Sequence, residues 1–435
     1  MSPPLIGIIG ILVLILALFA GIPIGFAMFI VGFLGFSYLA SLEAGLRLLS
    51  MEMLATFSSY SFAVVTCFAI MGALGGYSGA ARRLYDFAYK FLGRLPGGLA
   101  IATIGACSLF GAICGSAQAA TATFGKVALP EMKRHNYSLS LASGCIASGG
   151  TMSIIIPPSL VFIIYGIIAS QSIGELFIAG VIPGILLTIL SMISIIFACW
   201  KNPALGPPGA AVSFKEKLKS LPGVAEALGL FVVILGGIFI GIFTPLEAGA
   251  IGAIGMLVFA LGRRTLTWKG FVDSFRDTAR LIGMIFIILA GAFVFGRFIA
   301  ITNIANALAG WMVNLPWSPI ITFIVFIIPI YIVAGFFMDT IAVILITVPL
   351  FLPVITGLGF DPIWFGVQMV LLAQIGLLTP PVGLTVYTVK AVAPEDLPLW
   401  LIFRGALFFV PAMVVCAIVV LVFPQLALWL PRLMF

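Results

Sequence analysis

The sequence has few charged residues and almost no histidine. Of its 435 residues, 8% are charged and 63% are hydrophobic, whereas roughly a quarter of the residues of a soluble domain are charged. The only histidine is His135, and the six cysteines form no CxxC motif, so no metal site other than one for sodium is expected. The composition excludes a soluble domain and predicts an all-α polytopic membrane protein of about ten to twelve passes.

Motifs for several chemistries are also missing. The chain has no GxxxxGK[ST] loop for ATP, no HExxH metal motif and no GxSxG nucleophile motif. These absences argue against ATP-driven transport and against an intramembrane enzyme, and leave a channel as a third alternative. The net charge of +7 does not indicate nucleic acid, because the Lys and Arg residues lie between apolar segments. Anchoring at the cytoplasmic face explains them instead.

Prolines recur at a fixed spacing along the chain. They coincide when the chain is shifted by 223 positions: Pro130 with Pro353, Pro157 with Pro380 and Pro158 with Pro381. The same shift places the small-residue stretch 111–121 on 334–344. We therefore predict two repeats, 1–200 and 227–435, joined by a cytoplasmic connector at 201–226 that contains LGPPG and KEKLK.

The charges indicate how the two repeats are oriented. Residues 82–134 contain seven Lys or Arg and the matching residues 305–357 contain none, whereas 263–280 contain five and the matching 40–57 contain one. Equivalent loops then face opposite sides of the membrane, with 82–94, 126–134, 201–219 and 263–280 in the cytoplasm. Such an inverted-topology repeat is typical of secondary transporters. The amino terminus is then periplasmic and the first apolar segment is a retained helix. A duplicated bundle with incidental kinks is the alternative.

Each repeat contains a hairpin with a small, polar tip, followed by a helix that is interrupted at Pro-Pro. Adjacent prolines free carbonyl groups that lipid cannot solvate, so protein, water or an ion must take them up. Around both breaks the side chains offer oxygen atoms, which suit a hard cation such as sodium. We predict two re-entrant helical hairpins and two Pro-broken helices. The alternative is that small residues only allow helices to pack closely.

Asp339, in the second tip, is the only charged residue between Arg297 and Asp361. A carboxylate at membrane depth is costly and suggests a function. It can ligate a cation, carry a proton or cap the hairpin helix. Glu247 and Arg297 are the other charged groups in apolar surroundings and rank below the tips.

Together these segments resemble the large membrane subunit of TRAP (tripartite ATP-independent periplasmic) transporters. The resemblance is carried, in the family's order over nearly the whole chain, by GAICGSAQAATATFGKVALPEMKR, SGGTMSIIIPPSLVFIIYG, SIGELFIAGVIPGIL, GIFTPLEAGAIGA, GFFMDTIAVILITVPLFLPV and LLTPPVGLTVYTV. It implies a sodium-driven importer of a small organic anion, a carboxylate or sulfonate, in the bacterial inner membrane. It also implies an elevator mechanism, a small four-helix membrane subunit and a periplasmic substrate-binding protein.

The resemblance implies that sodium sites lie where each tip meets the following break. The predicted sodium ligands are Ser116, Gly149, Gly150, Thr151, Ser153, Asp339, Gln374, Gly376 and Thr379. The predicted substrate residues are Gln118, Thr121, Pro157, Ser159, Thr340, Pro380 and Gly383. Ala117 and Ala120 occupy positions where the family often has hydroxyls, so backbone carbonyls or Gln118 would substitute for hydroxyl ligands there.

An elevator implies a transport domain at about 95–200 plus 318–435 and a scaffold at about 1–94 plus 227–317. No cofactor is expected apart from Na⁺ as the coupling ion. The rival interpretation is a divalent anion and sodium symporter that works without a binding protein.

Overall fold

The chain is helical throughout the part that the structure describes. This computed structural model describes residues 2–209 and 212–434, which contain helices and turns but no strand. Met1, Ala210, Ala211 and Phe435, which fall within the predicted repeats and connector, lie outside these residues. The all-α prediction is confirmed for the described chain.

Ten helices precede the connector. They are α1 (Pro3–Phe19), α2 (Ile24–Leu39), α3 (Leu42–Ser58), α4 (Ala63–Tyr77), α5 (Ala80–Leu92), α6 (Gly98–Cys114), α7 (Ala117–Arg134), α8 (Leu139–Met152), α9 (Leu160–Ala169) and α10 (Ile173–Lys201). Short 3₁₀ turns at Tyr60–Phe62 and Pro203–Leu205 precede α4 and follow α10.

Twelve helices follow in the second half of the described chain. They are α11 (Phe214–Phe239), α12 (Pro245–Gly262), α13 (Trp268–Thr302), α14 (Ile304–Val313), α15 (Pro319–Thr322), α16 (Ile328–Phe337), α17 (Thr340–Gly357), α18 (Pro362–Leu378), α19 (Leu384–Val392), α20 (Leu399–Leu407), α21 (Val410–Val422) and α22 (Gln425–Arg432). A π-helical turn, Phe323–Ile327, joins α15 to α16, so that 319–337 is one continuous helical stretch.

Several helices are long and apolar enough to cross a membrane. Among the described residues there are seven, or eight if the bent α11 is included, judged by length and composition. Helices α1, α2 and α18 are also apolar but have only 16 or 17 residues, slightly below the roughly 20 that a full crossing needs. The protein is therefore a multi-pass membrane protein.

Both Pro-Pro pairs interrupt a helix, as predicted. Helix α8 ends at Met152 and α9 begins at Leu160, while α18 ends at Leu378 and α19 begins at Leu384. The peptide bond between the two prolines is cis in both breaks. The chain between the helix pieces has no regular hydrogen-bond ladder, so its polar groups need other partners.

The connector contains less loop than the sequence suggested. Helix α11 begins at Phe214, within the segment 201–226, because Ser213 and Glu216 form a capping box. The Glu216 carboxylate accepts a hydrogen bond from the Ser213 N–H at 3.3 Å, which satisfies a donor that the helix leaves free. The basic KEKLK cluster is thus helical.

Helix boundaries in the two halves coincide at the offset of the prolines. Helices α7 and α17 begin and end 223 residues apart, and so do the last residues of α9 and α19. The contacts are also reciprocal: α7 packs on α19, and the equivalent α17 packs on α9. Each hairpin of one half therefore contacts the broken helix of the other half.

The core lies among the hairpins and the broken helices. In α18 every residue from Ile363 to Leu378 is buried, and α6 and α8 are buried almost throughout. Helices α1, α3 and α12 instead expose large apolar side chains, such as Leu16, Leu54 and Ile254. The first break is consequently enclosed by protein, the second is exposed at Pro380 and Pro381, and the outer helices face lipid or a partner.

The crossing of α8 and α20 generates a testable requirement for glycine. A Cβ on Gly405 would overlap the Ser140 carbonyl group and lie 3.1 Å from the Cα of Gly144. We expect Gly405→Ala to lower the free energy of unfolding by about 1–3 kcal/mol, since backbone atoms must move apart. Thermal unfolding of the purified protein in detergent measures this change.

Gly283→Ala is the matched control, because a Cβ on this exposed helical glycine meets no atom within 4 Å. Alanine there should be neutral or stabilise by up to about 1 kcal/mol through helix propensity. Equal destabilisation by the two substitutions would contradict the close backbone crossing.

Candidate functional site

The first hairpin tip turns at Gly115, between α6 and α7. Gly115 has a φ of 57°, a left-handed conformation, and its N–H donates a hydrogen bond to the Gly111 carbonyl at 2.9 Å. A Cβ on Gly115 would lie 3.0 Å from the carbonyl oxygen of Pro158. Ser116 is the N-cap of α7, and its Oγ accepts a hydrogen bond from the Ala119 N–H at 3.5 Å. Glycine thus allows the tip to lie directly against the first break.

The second tip turns at Asp339, which is the N-cap of α17. Its Oδ2 accepts a hydrogen bond from the Ile341 N–H at 3.3 Å, and a negative charge at this end of a helix is also favoured by the helix dipole. Asp339 and Ser116 are 223 residues apart and cap equivalent helices. The capping role that the sequence left open for Asp339 is confirmed.

The two tips are hydrogen bonded to each other. Gln118 Nε2 donates to Asp339 Oδ1 at 2.6 Å, and Ser116 Oγ donates to Gln118 Oε1 at 3.5 Å. A donor bound to a carboxylate makes one of the stronger neutral-to-charged hydrogen bonds in proteins. Gln118 and Asp339, which the sequence assigned separately to the substrate and to sodium, are direct partners.

Two glycines of α8 bring the first break against the first hairpin. A Cβ on Gly150 would overlap the side chain of Thr121, and a Cβ on Gly149 would lie 2.8 Å from the Cβ of Cys107. Both positions therefore require the absence of a side chain for packing. The Thr121 hydroxyl is buried and has no hydrogen-bond partner within the described residues. Thr121 thus lies in the contact between α7 and α8.

The hydroxyl groups of the first break are held by nearby carbonyls. Each donates to a carbonyl earlier in the chain: Thr151 to Ser148 at 2.7 Å, Ser153 to Gly150 at 2.6 Å and Ser159 to Ile154 at 2.5 Å. Ser159 also caps α9 by accepting a hydrogen bond from the Phe162 N–H. Because each proton points to a carbonyl, the hydroxyl oxygen keeps lone pairs that can face a cation.

Ser148 is a site residue that the sequence reasoning missed. It is fully buried, and its own hydroxyl oxygen has no partner within the described chain. It lies one helical turn before Thr151, so both side chains face the same side of α8. That spacing from the predicted residues was the signal available in the sequence.

The second break contains a buried amide without partners. Gln374 is fully buried, and neither its Oε1 nor its Nε2 has a hydrogen-bond partner among the described residues. The Thr340 hydroxyl, at the start of α17, is also buried and has no hydrogen-bond partner among the described residues. Buried polar groups are almost always paired in native proteins, so such groups indicate a ligand, ion or water.

The other residues of the second break shape its backbone. Thr379 Oγ1 donates to the Ile375 carbonyl at 2.6 Å, and Gly383 has a φ of 61° where α19 begins. A Cβ on Gly335 would lie 3.0 Å from the Cα of Gly376. Gly376 therefore allows α16 of the second hairpin to lie against α18, just as Gly150 allows contact in the first half.

The two proline pairs differ in their surroundings. Pro157 is buried and lines an apolar crevice beside α5 and α10, whereas Pro380 is exposed. Pro157 therefore faces the crevice. The group of the first break that faces the hairpin tip is the carbonyl of Pro158. This difference is the main departure from two identical halves.

The charged residues ranked lower from the sequence have structural partners. The Glu247 carboxylate accepts hydrogen bonds from the Thr244 N–H at 2.8 Å and from its hydroxyl at 2.9 Å, which forms a capping box for α12. Arg297 Nε donates to Glu52 Oε1 at 2.7 Å. Neither residue is joined to the tips by these bonds.

Sequence comparisons with known proteins identify one family. Residues 11–426 match the family model described as the tripartite ATP-independent periplasmic transporter, DctM component. The chain is 37% identical to the C4-dicarboxylate TRAP transporter large permease protein DctM of Pseudomonas aeruginosa, over 89% of this chain and 90% of that protein. It is 33% identical to the sialic acid TRAP transporter large permease protein SiaM of Vibrio cholerae, over 96% of each.

A third relative and two solved structures extend this result. The chain is 32% identical to the ectoine/5-hydroxyectoine TRAP transporter large permease protein UehC of Ruegeria pomeroyi, over 98% of each. The YdaH transporter of Alcanivorax borkumensis has a similar fold, with a TM-score of 0.58, 14% identity and 89% of each chain covered. MtrF of Neisseria gonorrhoeae gives a TM-score of 0.50 at 15% identity, over 86% of this chain and 84% of that one.

The tip-to-tip bond predicts energetic coupling between Gln118 and Asp339. In a double-mutant cycle with Gln118→Ala and Asp339→Ala, the two losses of unfolding free energy should be non-additive by about 0.5–3 kcal/mol, because either substitution removes the same bond. Denaturant unfolding of the four proteins in detergent measures the coupling.

The control cycle pairs Gln118→Ala with Asp361→Ala. Asp361 is also a helix-capping aspartate, accepting from the Ile363 N–H at 2.8 Å, and it has no bond to Gln118. Additivity within about 0.5 kcal/mol is expected for this pair. Additive losses for Gln118 and Asp339 as well would argue against the contact between the tips.

Proposed function

Since the chain belongs to the family of DctM components of tripartite ATP-independent periplasmic transporters, we propose that it imports a small organic anion, driven by sodium. The relatives are named for C4-dicarboxylates, sialic acid and ectoine, compounds that all carry a carboxyl group. The substrate is proposed to be a carboxylate or sulfonate that a periplasmic binding protein delivers. A small four-helix membrane subunit completes the complex in the bacterial inner membrane.

Two features support an inverted relation between the repeats. The reciprocal packing of α7 on α19 and of α17 on α9 is what a two-fold relation between the halves produces. The opposite placement of Lys and Arg in 82–134 and 305–357 requires that this axis lie in the membrane plane. The amino terminus is then periplasmic, and the first and second hairpins enter from the cytoplasm and the periplasm.

Packing among the helices supports an elevator mechanism with the domains predicted from the sequence. Helices α2 and α13 pack along each other, as do α4 and α12, in the scaffold of 1–94 plus 227–317. Within the transport domain of 95–200 plus 318–435, α8 packs on α6 and α20, and α18 packs on α16. Across the boundary between the two domains, α5 packs on α6 and α14 packs on α17. Sliding the transport domain past the scaffold would move both tips together.

The sodium sites are proposed where each tip meets the following break. The predicted sodium ligand Gln374, the added residue Ser148 and two residues first predicted to bind substrate, Thr121 and Thr340, carry buried oxygens that have no partner within the described residues. Oxygen ligands of this kind, together with freed carbonyls, bind hard cations. These unpaired buried oxygens, in the hairpins and beside the breaks, are the observation that carries the proposal.

The charge of the site explains why sodium and the anion would bind together. The segments 111–121, 149–159, 335–344 and 374–388 contain no Lys, Arg or His. Positive potential for an anion then comes from the amino-terminal ends of α7, α9, α17 and α19 and from bound sodium. The anion binds weakly until sodium is present, which couples the two.

The driving force is sufficient for import. One elementary charge that moves through 100 mV gains about 2.3 kcal/mol. Two sodium ions with a monovalent anion move one net charge and gain this energy before their own concentration gradient is counted, whereas a dicarboxylate needs a third sodium ion for the same gain. The residues Gln118, Ser159 and Gly383 remain proposed substrate contacts because they border the same tips and breaks.

The inverted topology predicts opposite labelling of two equivalent positions. Lys133 and Thr356 are 223 residues apart, in the last turns of α7 and α17, and both are exposed. A membrane-impermeant maleimide added to spheroplasts should label Thr356→Cys directly and Lys133→Cys only after permeabilisation. The parent, with its six native cysteines, measures the background. Direct labelling of both variants would show that the repeats are parallel.

Sodium coupling predicts ion-dependent uptake in proteoliposomes that contain the chain and both partner proteins. The probes are radiolabelled succinate, sialic acid and ectoine, each added with sodium or with potassium outside. Uptake of at least one probe should require sodium. Asp339→Asn and Ser116→Ala should each reduce it by about tenfold or more, since loss of one bond to a charged group costs about 1.5–3 kcal/mol.

Asp361→Asn is the matched control, because Asp361 caps α18 and is proposed to bind no ion. It should retain parental uptake. Uptake that is equal in sodium and in potassium would refute the proposed coupling while leaving the family assignment in place.

A further inference from the structure

An apolar crevice of about 490 Å³ opens between four helices. Its walls come from α5, α6, α10 and α11, and Ile156 and Pro157 of the first break lie at one end. The rim residues Phe91, Ile185 and Ile189 are 38%, 54% and 48% exposed. The crevice is therefore open to the surroundings of these helices, which in a membrane is lipid.

The wall of the crevice offers nothing for a polar ligand to bind. Its polar side chains, Ser108 and Thr188, lie 3.0 Å apart and are hydrogen bonded to each other. The Thr188 hydroxyl also donates to the Gly184 carbonyl at 2.8 Å, so Ser108 is the donor between the two. With these groups paired, the wall suits a hydrocarbon chain and does not suit the organic anion.

Positive charge stands at the other end of the crevice. Lys217 Nζ lies 5.5 Å from the centroid of the Phe91 ring, which lines the crevice. Lys215 and Lys219 are exposed on another face of α11, because residues two positions apart on a helix do not share a face. Lys217 and the lining residue Leu228 are 11 positions apart on α11, which corresponds to about 16 Å along the helix. An apolar channel therefore runs from Lys217 into the membrane.

We propose that this crevice binds one acyl chain of an anionic phospholipid whose headgroup phosphate lies at Lys217. Burying the chain alone distinguishes no lipid, since the bilayer interior is equally apolar. The headgroup selects the lipid, because basic clusters at the cytoplasmic surface attract anionic lipids. The crevice has positive charge at one end and an apolar wall along the rest. A single phospholipid matches this arrangement with its anionic headgroup and its acyl chain.

The position of the crevice gives the lipid a structural role. Helices α5 and α11 belong to the proposed scaffold, whereas α6, α10 and Pro157 belong to the proposed transport domain. A lipid chain in the crevice touches both groups and fills the space between them. Lipid binding itself does not depend on sodium coupling or on the elevator mechanism.

The test measures lipid bound to the purified, delipidated protein by native mass spectrometry. The probes are phosphatidylglycerol, which is anionic, and phosphatidylcholine, which has no net charge. One phosphatidylglycerol per chain should bind more tightly than phosphatidylcholine. Ile189→Trp should weaken its binding by tenfold or more by filling the rim, and Lys217→Gln should weaken it by about fivefold, the factor expected for one lysine near an anionic surface.

Each variant has a matched control. Ile254→Trp adds the same side chain to a 63% exposed isoleucine on α12, outside the crevice. Lys201→Gln removes a lysine that also lies over a phenylalanine ring, Phe197, at 4.5 Å, but Phe197 does not line the crevice. Both controls should bind phosphatidylglycerol as the parent does.

A second variant that fills the crevice distinguishes loss of the binding space from misfolding of the first variant. Ala112→Phe fills the crevice from α6, at a residue that is 6% exposed, and should also abolish binding. Equal binding of the two lipids by the parent would overturn the proposal, as would parental binding of phosphatidylglycerol in Ile189→Trp and Ala112→Phe. Because binding is measured without transport, failure of sodium-dependent uptake leaves this result unaffected.

Discussion

A helix that is broken inside a membrane must find partners for the backbone groups that the break frees. Here the partners are local. Ser159 and Thr385 donate to the carbonyls of Ile154 and Leu377, at 2.5 and 3.0 Å. The tip glycine of the first hairpin approaches the carbonyl of Pro158. Each hairpin packs against a break, which explains why a polar tip precedes each Pro-Pro pair in this chain.

The sequence allowed the architecture to be predicted because the relevant signals are local or periodic. The paired prolines located both breaks, and the offset of 223 residues located equivalent helices to the residue. The start of α11 at Phe214 was missed because a capping box outweighed the loop-like LGPPG segment nearby. The contact between Gln118 and Asp339 was missed for another reason: it joins residues 221 positions apart, and no repeat register pairs them.

The two halves share a backbone plan but differ in their chemistry. Ser116 and Asp339 are both N-caps of equivalent helices, yet only Asp339 carries a charge. A repeat alone predicts two similar sites, and the side chains make them different. The same holds for the breaks, since Pro157 is buried against the lipid-side crevice and Pro380 is exposed. The repeat therefore places equivalent tips and breaks in both halves, and the side chains at these places differ.

Capping by Asp339 does not prevent the carboxylate from binding an ion. Oδ2 accepts one bond from the Ile341 N–H and Oδ1 accepts one from Gln118 Nε2. An ionised carboxylate has about four acceptor positions, so each oxygen keeps a lone pair. The two bonds hold the carboxylate in a fixed orientation. Less conformational entropy is then lost when an ion binds. The cap and the link between the tips therefore fix the orientation of the carboxylate and leave acceptor positions for the cation that we propose.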